Sequence, residues 1–139
     1  MEVRKLILAV VAGLAAMLLL SGLWHGLLMH DFYVAHSPTL RETPLLRLIG
    51  LGYFILATVM VVIYPKGYEG GPPWLEGLRF GMLVGILYAL PMGLVSYGAE
   101  GCHTGRLVVV DAAWHLAEQG VGGIIIALIH GGGAVPRED

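Results

Sequence analysis

Four apolar runs, each about as long as a helix needs to cross the hydrocarbon core of a bilayer, leave this chain few architectures. They cover residues 6–29, 45–64, 74–97 and 107–129, and the connections between them are short and polar. In lipid such a run satisfies its own backbone hydrogen bonds only as a helix. Short connections make consecutive helices antiparallel. The pattern predicts one all-α domain over residues 1–139, a four-helix transmembrane bundle running up-down-up-down. Strand-type alternation is absent, which argues against a membrane barrel.

Composition agrees. The chain is 57% hydrophobic and 13% charged, with a mean hydropathy of +0.78, whereas a soluble domain carries about 25% charged residues. The lipid bilayer is therefore its first partner. A formal net charge of -2 offers no basic surface for nucleic acid. The single cysteine, Cys102, excludes an intrachain disulfide and a zinc site built of cysteines alone.

The first run follows a short basic start, as a secretory signal does, but it is too long for one and reads as an uncleaved helix. His30 to Pro44 reads as a polar connection. Pro38 and Pro44 keep it from forming one helix, and Thr43–Pro44 reads as an N-cap and first helical position. A Gly- and Pro-rich turn spans residues 66–73, a last turn spans 99–106, and the polar tail after Ile129 is expected to fray. Placing the N-terminus in the cytoplasm puts Arg4, Lys5, Lys66, Arg79 and Arg137 inside and Arg41, Arg47 and Arg106 outside. That positive-inside bias predicts a multi-pass inner-membrane protein with both termini cytoplasmic.

The third run carries Gly77, Gly81, Gly85, Ala89 and Gly93, a small residue at every fourth position. Such a ridge lets another helix approach closely. Its partner is expected inside the bundle, where Gly22, Gly26, Ala113 and Ala117 offer matching small residues; a homo-oligomer is the second option. Pro91 interrupts this run and frees the carbonyl of Leu87. Tyr88 and Met92 flank it, so a widened pocket is expected at that depth.

The fourth run, LVVVDAAWHLAEQGVGGIIIALI, holds three ionisable groups. Asp111, His115 and Glu118 fall at i, i+4 and i+7 and so share one helical face. Ionisable residues inside a membrane usually face a protein interior and mark function. At a rise of about 1.5 Å per residue, His25 and Met92 lie about 9 Å, and Tyr53 and His115 about 12 Å, below the outer ends of their helices. Each run thus contributes a polar or ligating side chain to one layer, with Asp111 above it and Glu118 below.

Three functions suit that layer. Imidazoles from His25 and His115 can bind a transition metal ion or the iron of a haem, with Asp111, Glu118 or Met92 as further ligands, for metal handling or electron transfer. Glu118 and Asp111 can instead carry protons or bind a small cation, as in a proton-linked transporter. The ridge can serve a structural or assembly factor. The plainer alternative is a hydrogen-bonded network in which Asp111 holds the His115 ring. Trp24 and Trp114, each just before a histidine, are candidate pocket walls with Tyr53 and Tyr88. Ser21 lies one turn before His25 and reads as its hydrogen-bond partner rather than as a nucleophile. His30, Asp31, His36, Glu100, Cys102 and His103 fall in the outer connections. They read as solvated loop residues, or in the sharper reading as the mouth of a metal site. No GxSxG, HExxH, P-loop or dinucleotide fingerprint is present.

The segment LEGLRFGMLVGILYALPMGLVSYGAEG, followed by LVVVDAAWHLAEQGVGGIIIALIHG, resembles a group of small four-helix bacterial membrane proteins classed as domains of unknown function. The shared features are the glycine-stepped third helix, the Glu-Gly turn and a fourth helix opening on Asp-Ala-x-x-His. The resemblance spans roughly residues 75–131, about half the chain. It implies the four-helix topology and singles out Asp111 and His115; it implies no activity.

Overall fold

The computed structural model describes residues 2–100 and 104–131. Every regular element in them is helical. Helix α1 (Val3–Leu23) widens at its end into a π-helical turn, Trp24–Leu28. A short α2 (His30–His36) follows. Helix α3 (Leu46–Ile63) closes in a 3-10 turn, Tyr64–Lys66. Helices α4 (Pro73–Ala99) and α5 (Gly105–His130) complete the chain. Four stretches, Val3–Leu28, Leu46–Lys66, Pro73–Ala99 and Gly105–His130, are long and apolar enough to cross a membrane. They match the four apolar runs to within a few residues.

Two local expectations are corrected. His30–His36 is a helical turn rather than an open connection, because the first helix-breaker after His30 is Pro38. The Thr43–Pro44 cap does not form: α3 starts at Leu46, its N-cap is Leu45, and no side chain caps it. The side-chain cap belongs to Thr104, whose hydroxyl accepts from the Leu107 backbone N–H at 3.2 Å and so starts α5.

Helix α5 is the hub. Half of its most apolar stretch is buried, against 22%, 17% and 11% for the stretches of α1, α3 and α4. Pairings fix the directions. Gly77 lies against Gly123, Gly81 against Gln119 and Gly120, and Gly85 against His115, so α4 and α5 run antiparallel. Gly13 lies against Ile126 and Gly122 against Met17, so α1 is antiparallel to α5 as well. Tyr53 meets Glu118 and Tyr64 meets His130, so α3 runs parallel to α5. The up-down-up-down order follows.

The predicted ridge is spent inside the chain. A methyl group added at Gly77, Gly81 or Gly85 would collide with the α5 backbone itself, at the carbonyls of Gly123, Gln119 and His115. Glycine is required there because no flexible side chain can yield. Farther along, Gly93 faces Val108, while Ala89 lines a cleft between the two helices. The ridge's partner is α5 with Gly120 and Gly123; Gly22 and Gly26 have open space beside them. In lipid, apolar side chains gain little by meeting one another, so the dispersion contacts of such close packing carry much of the association.

The half of the bundle nearer the start of α1 is filled by Ala9, Val10, Met17, Ala57, Met60, Val61, Tyr64, Ile126 and Ala127. This packed apolar core closes that half. The other half holds the polar site.

Candidate functional site

The site is assembled from the middle of α5 outward. Helical spacing puts Asp111, His115 and Glu118 on the face that α5 turns toward α1 and α3. Glu118 is fully buried. Its carboxylate accepts from the Tyr53 hydroxyl at 2.8 Å, His115 Nδ1 at 3.0 Å and Gln119 Nε2 at 3.0 Å. Three donors around one buried carboxylate satisfy an anion. They also fix the His115 ring, whose Nδ1 must carry the hydrogen to bond a group that only accepts.

His115 Nε2 then points toward the next carboxylate, 3.6 Å from Asp111 Oδ2. From α1, His25 Nε2 lies 3.7 Å from Asp111 Oδ1. The two imidazoles, with ring centroids 6.5 Å apart, share one carboxylate. His25 Nδ1 lies 3.1 Å from the Ser21 carbonyl and 3.2 Å from the Ser21 hydroxyl. The carbonyl accepts from a protonated Nδ1, and the hydroxyl, which can donate or accept, serves either tautomer. The π-helical turn beginning at Trp24 carries His25; one-turn widenings of this kind recur at functional sites.

Asp111 is held more loosely than Glu118. Among the described residues, its one hydrogen-bond donor is Tyr33 of α2, at 2.9 Å. Tyr33 in turn accepts from the Trp24 indole at 3.2 Å. Burial, then the nearby Asp111 carboxylate, push the Tyr33 hydroxyl well above the ordinary tyrosine range. It therefore stays a donor. Tyr33 escapes sequence reading because it stands in the polar connection; the only available signal was one aromatic hydroxyl near the end of a membrane span. Gln119 likewise carries no sequence signal of its own beside the more conspicuous Glu118.

Of the expected pocket walls, Tyr53 and Tyr88 border a cleft, whereas Trp24 and Trp114 pack on each other. Trp24 and Trp114 stack at 4.4 Å, with planes 3° apart. Tyr88 meets the His115 ring edge-on at 4.9 Å. Two open clefts flank the centre. The larger, about 1060 Å³, runs between α1, α2 and α3 past His25, Tyr33 and Tyr53. The smaller, about 610 Å³, lies between the Pro91 region of α4 and the start of α5, and Asp111 and Met92 line it. His115 and Tyr88 border both. Met92 stands on the exposed wall of the smaller cleft.

Among the described residues, no group of three or more His, Cys, Asp or Glu side chains is arranged to hold a metal ion. A haem between His25 and His115 does not fit either, because its plane would pass through the Asp111 carboxylate that both Nε2 atoms face. Cys102 and His103 lie outside the described residues, as does the tail from residue 132. His36 bonds its own helix, at the Phe32 carbonyl, and His30 lines the larger cleft.

No family model, curated protein or solved structure matches this chain.

Proposed function

We propose that the protein is an integral membrane protein that exchanges protons at Asp111 and couples their release to the binding of a small cation, as a proton-linked carrier does. One observation carries this reading. With the ring hydrogen on Nδ1, bonded to Glu118 in His115 and to the Ser21 carbonyl in His25, both Nε2 lone pairs of the neutral imidazoles face the same carboxylate. Lone pairs converging on an anion repel. A proton on either Nε2, or a cation beside Asp111, turns repulsion into attraction. At partly buried sites that attraction is strong.

The division of labour follows from the donor sets. Glu118, buried and bound by three donors, is the fixed counter-ion that orients His115. Asp111, with one donor and a side chain about a third exposed, is the exchanging group. The centre opens on one half of the bundle while the packed core closes the other. A carrier caught facing one side would have this arrangement.

The test is proton release. Purified protein in nanodiscs, weakly buffered, is titrated with methylammonium and the released protons are counted with an indicator dye. About one proton per protein is expected, as one cation replaces one proton by linkage. Asp111→Asn should release less than about a tenth of that. Binding without proton release, or equal release from the variant, overturns the proposal.

A second reading is a single transition-metal ion that would draw His25 Nε2, His115 Nε2 and Asp111 closer together than they now stand. It is favoured by the oxygen acceptors on each Nδ1, the outer partners that metal-ligating imidazoles usually have. Elemental analysis of protein purified without chelator tests it. Metal near one equivalent, lost in His25→Ala, supports it; metal-free active protein removes it.

A further inference from the structure

We infer that the ligand exchanged for the proton is an amphipathic primary amine, which enters the smaller cleft from the bilayer and seats its ammonium group beside Asp111. This rests on the proton-exchange reading above and adds the chemical class of the ligand and its route.

Three features of the cleft point the same way. Its lining at the depth of Asp111 offers acceptors. Asp111 supplies a carboxylate. Leu87 adds a backbone carbonyl, since Pro91, four residues on, has no N–H to offer it. An ammonium group carries three hydrogens and no acceptor, the complement of that set. The ring of Tyr88, on the same wall, presents an aromatic surface to a cation.

The rest of the lining is apolar: Leu87, Met92, Leu107 and Val108 among others. Leu87 and Met92 are 75% and 65% exposed, on a helix long and apolar enough to span the bilayer. The cleft therefore opens sideways toward acyl chains. An amine with an apolar body can reach it by first partitioning into the membrane. The larger cleft is a poorer candidate: Asp111 does not line it, and its lining carries both Arg41 and Glu42.

Competition with protons follows from the groups around Asp111. They are His25 from the turn after α1, Tyr33 from α2 and His115 from α5 itself, with Tyr88 of α4 on the shared cleft wall. An ammonium seated against the Asp111 carboxylate takes the place of the proton held there. Glu118, from below, keeps the second nitrogen of His115 engaged.

The experiment compares dodecylammonium, methylammonium and uncharged dodecanol on the same nanodiscs, with the Asp111→Asn signal subtracted. Dodecylammonium should release the proton at an aqueous concentration about tenfold or more below methylammonium, since each buried methylene favours partitioning by about 0.8 kcal/mol. Dodecanol should release none. Pro91→Ala, which restores an N–H for the Leu87 carbonyl, should raise the dodecylammonium concentration needed about threefold or more, an effect of one lost hydrogen bond. Equal potency of the two amines, release by dodecanol, or an unaffected Pro91→Ala protein of wild-type thermal stability overturns the inference and leaves proton exchange standing. Failure of both amines to release a proton overturns the inference and the proton-exchange reading together.

Discussion

The Tyr53 hydroxyl donates to Glu118 Oε1 at 2.8 Å and joins α3 to α5 in the middle of the bundle. The acceptor is fully buried, so nothing replaces the bond when it is removed. Tyr53→Phe should destabilise the protein by about 1–2 kcal/mol. That exceeds the ~0.6 kcal/mol average for interhelical hydrogen bonds in a bilayer, because this acceptor is charged. Denaturant unfolding in mixed micelles reads the difference. A change below about 0.5 kcal/mol would mean that Glu118 is neutral and needs fewer donors.

The ridge of α4 gives a paired test. Gly81→Ala drives a methyl group into the Gln119 carbonyl, so α4 must move off α5, at a cost of about 1–3 kcal/mol. Gly22→Ala has open space around it and should be neutral or stabilising by up to about 1 kcal/mol. Thermal melts of both variants check the pair. Equal, small effects would show that α4 and α5 are farther apart than the geometry requires.

Topology is open to chemical labelling. In a Cys102→Ser background, a cysteine placed at exposed Thr39, between α2 and α3, should react with a membrane-impermeant maleimide in intact cells. One placed at exposed Glu69, between α3 and α4, should react only after permeabilisation. This follows from the positive-inside bias of Arg4, Lys5, Lys66 and Arg79. The opposite pattern would invert the orientation and put the Asp111 centre in the inner half of the membrane.

What the sequence determined by itself is whatever depends on local repetition. Apolar length set the four spans, because a bilayer forces an uninterrupted helix wherever the backbone has no water to bond. The 3.6-residue turn set Asp111, His115 and Glu118 on one face and Gly77, Gly81 and Gly85 on another, whatever the helices met. The tertiary structure decided which helix each face meets and how far it is rotated, since those depend on the shapes of segments distant in the chain. Only there does α5 take the ridge, and only there does α2 bring Tyr33 back to Asp111. Only there, too, do the donors divide so unequally that Glu118 becomes an anchored counter-ion while Asp111 is shared by His25 and His115.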